Sequence, residues 1–177
     1  MKKLNLGCGL DIREGYINLD MHKLNGVDIV HDVNKLPLPF AENEFDYILC
    51  QDVLEHVDNF IGLMKELNRI IKKDGIIEIR VPHFTSANNY ADPTHRNRFS
   101  VRTFYFFTEK SRFDRNYYFD FSFKSIEEIK LTYSKKIIYN FPFFIIFNLN
   151  ISVLDIYENT FFSRIFPAVN LVVKLRK

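Results

Sequence analysis

The sequence predicts an α/β fold with a mostly parallel, twisted sheet, and three observations carry this prediction. A run over residues 2–6 that is typical of a buried strand leads directly into the turn Gly7-Cys8-Gly9. Two further strand-like runs follow, and a carboxylate ends each of them, Asp20 and Asp32. A strand–helix–strand pattern then covers residues 45–82. Alternating strands and helices are typical of an open parallel sheet.

The glycine turn is the first element with a chemical meaning. Gly7 and Gly9 have no Cβ, so the backbone after the first strand can lie close to a ligand. Asp20 and Asp32 follow at the ends of the second and third strands, over residues 16–19 and 27–31. The carboxyl ends of parallel strands meet at one edge of a sheet, so the pattern predicts a nucleoside site there.

The strand–helix–strand unit rests on periodicity. Residues 45–50 form an apolar strand, Asp58 is the expected helix N-cap, and residues 76–81 form the next strand, which Pro82 ends. Between them the apolar residues follow helical spacing, which predicts an amphipathic helix. These apolar residues are Phe60, Leu63, Met64, Leu67, Ile70 and Ile71.

The first connections are unusually short. Six residues, 10–15, separate Gly9 from the second strand region, whereas a parallel crossover normally needs about a dozen or more. The sequence therefore predicts shortened helices between the first strands. A dinucleotide-binding fold would also place its acidic residue about 20 positions beyond the glycines, and Asp20 lies only eleven positions after Gly9. This spacing argues against a nicotinamide cofactor.

The second half of the chain is less regular. Residues 83–118 are polar and aromatic and are expected to face a substrate, while residues 119–136 and 167–177 are expected to supply closing strands. Residues 137–166 are strongly apolar and predict a helical insertion before the last strand. We expect this insertion to cover the exposed first half of the sheet or to form a homodimer contact. Contact with a hydrophobic substrate and membrane contact are the alternatives.

Composition limits the classes of function. A length of 177 residues suits a single domain over 1–177, with its core in 1–82. The net charge of +2 gives no reason to expect nucleic-acid binding. Two cysteines without an extracellular signature, and a start that lacks a leader pattern, favour a cytoplasmic location.

Several motifs together resemble class I S-adenosylmethionine-dependent methyltransferases, most closely the methyltransferase type 11-like group. The resemblance covers roughly residues 2–82 and the closing strands. It implies a Rossmann-like three-layer fold and S-adenosylmethionine as the cofactor. The motifs that carry it are Leu4-Asn5-Leu6-Gly7-Cys8-Gly9, Asn18-Leu19-Asp20, His31-Asp32-Val33, Leu36-Pro37-Leu38-Pro39-Phe40, Phe45-Asp46-Tyr47-Ile48 and Val53-Leu54-Glu55-His56-Val57.

The resemblance implies roles for individual residues. The turn amides would meet the methionine part of the cofactor, Asp20 would accept hydrogen bonds from the ribose hydroxyls, and Asp32 with the Val33 amide would bind the adenine edge. Asn5 and Asp11 depart from the family pattern, which often has an acidic residue and a glycine there. The implied cofactor-binding residues are Asn5, Gly7, Cys8, Gly9, Asp20, Met21, Asp32, Val33 and Gln51.

The acceptor is expected at the carboxyl ends of the strands, near Asp52, Glu55-His56 and the segment after the fifth strand. His95 or His83 is the candidate base, with Asp92 orienting the imidazole or replacing it. His83, Asp92 and His95 could instead bind a metal, but their spacing matches no tight metal motif and no metal site is assigned.

These expectations combine into one function and one alternative. The resemblance implies methyl transfer to a small-molecule oxygen or nitrogen, and it reaches bacterial members associated with surface-sugar modification. The expected acceptor is therefore a sugar hydroxyl of a surface polysaccharide or its precursor. The alternative is a non-catalytic binding or scaffold protein that keeps the methyltransferase fold.

Overall fold

A computed structural model describes residues 1–109, 116–134 and 140–177 of the chain. The part of the chain that it describes contains seven strands in one sheet and five α-helices. The strands are β1 (Lys3–Leu6), β2 (Ile17–Asp20), β3 (Ile29–Val30), β4 (Phe45–Gln51), β5 (Ile71–Pro82), β6 (Ser125–Thr132) and β7 (Asn170–Arg176). The helices are α1 (Phe60–Ile70), α2 (Asn88–Ala91), α3 (Asn140–Phe147), α4 (Ile151–Asn159) and α5 (Phe162–Ile165). Two 3-10 helices cover Thr103–Phe107 and Asn116–Tyr118.

The strand order is β3-β2-β1-β4-β5-β7-β6. The first five strands are parallel, and β7 runs antiparallel to both β5 and β6. This topology confirms the predicted α/β class and the mostly parallel sheet. It also places the carboxyl ends of β1, β2 and β4 side by side, because β1 lies between the other two.

The connections between the first strands are as short as predicted, and residues 7–28 contain no helix. The side chains of two buried asparagines hold the loop after β1, where a longer connection would pack the apolar face of a helix. Asn5 Nδ2 donates to the Asp11 carbonyl at 2.7 Å and to Asn18 Oδ1 at 3.0 Å. Asn18 Oδ1 also accepts from the Arg13 amide at 3.0 Å. The loop is therefore fixed by hydrogen bonds rather than by hydrophobic packing.

The hydrophobic core follows the alternation of the strands. Leu4 and Leu6 of β1, like alternate residues of β4, β5 and β7, join one buried cluster with the apolar residues of α1. The side chains between them carry a polar network across the sheet. There, Tyr47 Oη donates to Glu78 at 2.6 Å, and Lys174 Nζ lies 2.8 Å from Glu128.

Helix α1 begins one residue later than predicted. Asn59 is its N-cap, and Asn59 Oδ1 accepts from the Gly62 amide at 2.9 Å. Asp58 instead forms an ion pair with Arg96, while its amide donates to Asn34 Oδ1. The expected N-cap role of Asp58 is therefore wrong, because the partners of Asp58 lie outside the helix.

Residues 140–166 of the predicted insertion form α3, α4 and α5, and residues 137–139 lie outside the described part. Asn148 bonds both backbone groups of Leu131 in β6, at 2.7 and 2.9 Å. The Tyr157 hydroxyl accepts from the Ala168 amide at 2.9 Å. The expectation that this insertion covers the first strands is wrong, because the insertion connects β6 and β7, at the edge opposite β3.

Among the described residues, no helix combines the length and the apolar character that crossing a membrane requires. Within the segment 119–136, which was expected to supply a closing strand, β6 covers Ser125–Thr132. The homodimer contact stays a prediction.

Candidate functional site

The carboxylate of Asp20 joins the ends of the first two strands. Asp20 is buried, its Oδ2 accepts from the Gly9 amide at 2.8 Å, and its Oδ1 accepts from the His22 amide at 2.9 Å. Each carboxylate oxygen can accept a further hydrogen bond. The arrangement fixes the carboxylate and leaves it able to bind a donor pair such as a diol.

A cavity of about 170 Å³ opens in front of this carboxylate, and we name it the cofactor pocket after the cofactor site expected from the sequence. Five residues expected from the sequence line it: Gly7, Asp20, Met21, Asp32 and Val33. Six further lining residues were not expected as cofactor contacts: His31, Asn34, Asp52, Val53, His56 and Val57. Four of these six follow β4, so the loop after β4 closes a pocket that begins at β1.

The two glycines of the turn have different surroundings. A Cβ on Gly7 would lie 2.4 Å from Val53 Cγ2, and its φ is +64°. Gly9 has a φ of +49°, and a Cβ there would meet nothing within 4 Å. Gly7 is therefore required by packing against Val53, whereas Gly9 leaves open space beside its backbone.

Four of the expected cofactor residues do not line this pocket: Asn5, Cys8, Gly9 and Gln51. Asn5 is buried beneath the loop after β1, and Cys8 is buried, which raises the pKa of its thiol. Gln51 Oε1 lies 3.5 Å from a terminal guanidinium nitrogen of Arg13. The side chains of Asn5, Cys8 and Gln51 therefore do not meet Asp20 and Asp32 in this pocket, whereas the Gly9 amide contacts the Asp20 carboxylate.

A larger cavity of about 780 Å³ adjoins the first, and we name it the acceptor pocket. Its lining is mostly polar: Asp52, Glu55, His56, Arg80, Pro82, Asn88, Ala91, Asp92, Pro93, His95 and Asn170. Asp52 and His56 also line the cofactor pocket. The two cavities therefore meet at these two side chains.

Asp52 has an unusual backbone at this junction. Its φ is +55°, a region that aspartate adopts more readily than most residues. The Asp52 amide donates to the Arg80 carbonyl at 2.9 Å, and its carboxylate forms an ion pair with the Arg80 guanidinium. These contacts with β5 fix the turn that follows β4.

Three side chains of the acceptor pocket form a compact group, the Glu55–His56–His95 cluster. One ligand atom from each lies within 4.8 Å of the others. Glu55 is 1% exposed, and Glu55 Oε2 and His95 Nδ1 are buried without a hydrogen-bond partner among the described residues. Burial raises the pKa of Glu55 to about 7. Burial, followed by the nearby His56, lowers the pKa of His95.

Backbone hydrogen bonds hold the two halves of this cluster together. The amides of Arg96 and Asn97 donate to the Glu55 carbonyl at 2.7 and 3.1 Å. Asn97 Nδ2 donates to the carbonyls of Leu54 and Val57 at 2.9 and 2.7 Å. Residues 54–57 and 95–97 therefore form one fixed unit.

His83 does not belong to the acceptor pocket, contrary to the expectation from the sequence. It is fully buried, with Nδ1 2.7 Å from Thr85 Oγ1 and Nε2 2.9 Å from Glu158 Oε1. Both ring nitrogens have partners, so His83 connects the segment after β5 to α4. Asp92 and His95 do line the pocket, and His95 Nε2 lies 3.8 Å from Asp92 Oδ2.

Comparison with known proteins agrees with this geometry. Residues 4–79 match a family described as "Methyltransferase domain". A demethylmenaquinone methyltransferase of Staphylococcus saprophyticus is 33% identical over 72 residues, which are 39% of this chain and 30% of that protein. An uncharacterized protein of Methanocaldococcus jannaschii is 34% identical over 83 residues, 41% of this chain and 36% of that one. The chain thus spans about a third of the length of these relatives.

A solved structure extends the likeness to the whole fold. The crystal structure of an S-adenosylmethionine-dependent methyltransferase from Archaeoglobus fulgidus superposes with a TM-score of 0.66 and 19% identity. The superposition covers 99% of this chain and 86% of that one. Residues 4–79 are thus similar to a methyltransferase domain, and the whole chain has the fold of the Archaeoglobus structure. S-adenosylmethionine is the cofactor that this similarity implies.

The residues that line the smaller pocket are compatible with that cofactor. The fixed Asp20 carboxylate could accept from a ribose diol, and the pocket continues past Asp32 and Val33. Val53 and Val57 offer an apolar wall that a flat base could contact. The space beside the Gly9 backbone leaves room for a ligand at the end of β1.

Proposed function

We propose that this protein transfers a methyl group from S-adenosylmethionine to a hydroxyl of a polar small molecule. The observation that carries the proposal is the meeting of two pockets at Asp52 and His56. One pocket suits an adenosine and the other is larger and polar. A transferase needs such adjoining sites, because both reactants must lie in line before the methyl group moves.

The donor side depends on Asp20, Asp32 and Val33. Asp20 would accept hydrogen bonds from the two ribose hydroxyls, while Asp32 and the Val33 amide would meet the adenine. When bound, S-adenosylmethionine supplies a sulfonium methyl group, whose S–CH₃ bond breaks as the O–CH₃ bond forms and leaves its electron pair on sulfur. The protein must then position the acceptor and receive the hydroxyl proton.

The lining of the acceptor pocket supports a polar acceptor. Carboxylates, imidazoles, amides and a guanidinium dominate it, and the apolar contributions come from Pro82, Ala91 and Pro93. A sugar offers several hydroxyls to such groups. The name of the staphylococcal relative implies a demethylmenaquinone substrate, and a quinone ring would find few apolar partners here. We therefore retain a sugar hydroxyl, as in a surface polysaccharide or its precursor, as the proposed acceptor.

Binding of S-adenosylhomocysteine tests the donor side first. We expect calorimetry to show one molecule bound per chain. Absence of binding at high micromolar concentration would contradict the proposal. With donor binding established, His95→Ala should keep that binding, because His95 does not line the cofactor pocket, and should lose turnover.

A non-catalytic binding protein with this fold is the competing function. It would bind S-adenosylhomocysteine but consume no methyl donor when offered sugars or nucleotide sugars. If the wild type shows turnover and His95→Ala shows the same turnover, the protein is an enzyme but His95 has no role in its mechanism.

A further inference from the structure

We propose that Glu55, His56 and His95 bind a divalent transition-metal ion inside the acceptor pocket. The three residues provide two imidazoles and one carboxylate, which is a ligand set that holds such ions with coordination positions left open. Nitrogen ligands favour Mn²⁺, Fe²⁺, Co²⁺ or Zn²⁺ over Mg²⁺ and Ca²⁺, which prefer oxygen.

The distances suit an ion after a small adjustment. The three ligand atoms lie within 4.8 Å of one another. Tetrahedral or octahedral ions with bonds of about 2.1 Å place neighbouring ligand atoms about 3.0–3.4 Å apart. Side-chain rotations that move the ligand atoms by about 1–2 Å would close the cluster around the ion.

Two unpartnered buried atoms give the second, independent reason. Glu55 Oε2 and His95 Nδ1 are each buried without a hydrogen-bond partner among the described residues. Glu55 is 1% exposed and the His95 side chain 7%. Buried polar atoms are nearly always hydrogen-bonded, so an exception needs an explanation. A bound cation satisfies both atoms at once.

The surrounding contacts already orient the ligands. His56 Nδ1 lies 2.8 Å from Thr94 Oγ1, which leaves Nε2 for the ion. Thr94 is in turn held by Asp92, whose Oδ1 accepts from the Thr94 hydroxyl at 2.6 Å. Such an outer partner on the second ring nitrogen is usual for metal-binding histidines. The bonds of Arg96 and Asn97 to the Glu55 carbonyl fix the position of His95 relative to Glu55.

The ion would define the acceptor class, and this step rests on the proposed function. Its open positions would face the cavity of about 780 Å³. An acceptor with two adjacent oxygens, such as a vicinal diol, could chelate it, and the metal-bound hydroxyl would lose its proton more readily. Asp92, beside His95, would then receive that proton. In this arrangement His95 acts as a ligand rather than as the base.

The binding test uses the metals alone, without donor or acceptor. Protein freed of metal by a chelator is titrated with Zn²⁺, Mn²⁺ and Mg²⁺ in a calorimeter. We expect one Zn²⁺ or Mn²⁺ per chain and much weaker Mg²⁺ binding. Glu55→Gln and His95→Ala should each weaken metal binding by at least about 10- to 100-fold. That range is typical for the loss of an outer-shell partner, and these two residues would contact the ion itself. Glu42→Gln, an exposed position outside both pockets, is the matched control and should bind as the wild type does.

Further measurements keep this result separate from the proposed function. Each variant must still bind S-adenosylhomocysteine, which shows that it is folded. If the variants fail to fold, the visible absorption of Co²⁺ added to the wild type reports nitrogen and oxygen ligation directly. Equal affinity in wild type and Glu55→Gln, or no Co²⁺ signal, overturns the metal site and leaves the methyltransferase proposal intact. Metal binding without S-adenosylhomocysteine binding would contradict the proposed function instead.

Discussion

The Gly9 amide donates a hydrogen bond to Asp20 Oδ2 at 2.8 Å, and this bond joins the ends of β1 and β2. The two residues are eleven positions apart, with a loop instead of a helix between them. The bond therefore fixes the carboxylate without help from a crossover helix. Its consequence is a preorganised acceptor for a diol at the edge of the cofactor pocket.

Asp20→Asn should weaken binding of S-adenosylhomocysteine by about 10- to 150-fold, since hydrogen bonds to a charged group contribute about 1.5–3 kcal/mol. Calorimetry measures the loss directly. Asp120→Asn is the matched control, because Asp120 is exposed and lines neither the cofactor nor the acceptor pocket. Equal affinity in Asp20→Asn and the wild type would remove Asp20 from the donor site.

Gly7→Ala and Gly9→Ala should separate stability from binding. Both positions have positive φ, which costs an alanine about 1–2 kcal/mol. Only Gly7 adds a clash with Val53, worth about 1–3 kcal/mol more. Urea unfolding should therefore show the larger loss for Gly7→Ala. Gly9→Ala should mainly reduce S-adenosylhomocysteine affinity, because its new methyl group occupies the open space.

Val53→Ala supplies the check on that explanation. In a double-mutant cycle, Val53→Ala should recover the clash part of the cost of Gly7→Ala. It should recover nothing for Gly9→Ala. Additive free energies in both pairs would mean that Val53 is not the cause of the difference.

Local patterns were enough to predict much of the fold. The apolar run of β4 and the helical spacing of α1 depend on neighbouring residues, and both elements formed within a residue or so of the expected bounds. The short loop after Gly9 predicted a shortened helix because six residues leave room for one helical turn at most, and the structure has no helix there. Local patterns could not predict where the helices of residues 140–166 pack, since their position depends on the order of β6 and β7 in the sheet.

The candidate site likewise combines features that local sequence predicts with features that depend on distant residues. Asp20 and Asp32 were predicted because each ends a strand and follows the glycine turn. The burial of His83 was missed because its partner, Glu158, lies 75 positions later in the chain. Glu55 and His95 were expected around the same acceptor, but their packing into one cluster was missed, because it depends on backbone bonds between two loops. Long-range pairing leaves no periodic signal in a single sequence.

Asn97→Ala should disturb the acceptor pocket more than the cofactor pocket. Asn97 Nδ2 holds the carbonyls of Leu54 and Val57, and these bonds position His95 against Glu55. We expect Zn²⁺ affinity and turnover to fall while S-adenosylhomocysteine affinity changes by less than about threefold, because lost hydrogen bonds act locally. Asn25→Ala, at an exposed position, is the control. A parallel loss of both affinities would indicate general unfolding instead of lost positioning.

The helices of residues 140–166 expose large apolar side chains, which supports the predicted homodimer. These are Ile145, Ile146, Leu149, Ile156, Phe161 and Ile165. Exposed apolar groups in one segment are typical of interaction surfaces. Sedimentation should show a dimer for the wild type and a monomer for the double variant Ile156→Glu with Phe161→Glu. A monomeric wild type at high micromolar concentration would refute the homodimer.

Glu158→Ala should destabilise the whole acceptor side. The Glu158 side chain is only 5% exposed, and its Oε1 accepts from the Val101 amide at 2.7 Å and pairs with His83 Nε2 at 2.9 Å. Removing the carboxylate leaves two buried groups without partners, so we expect a loss of about 2–4 kcal/mol in the free energy of unfolding. Glu158→Gln keeps one carbonyl oxygen for the Val101 amide and should lose about half as much. Urea unfolding measures both, with Glu42→Ala as the exposed control, and equal stability of Glu158→Ala and Glu42→Ala would show that α4 does not hold the segment after β5.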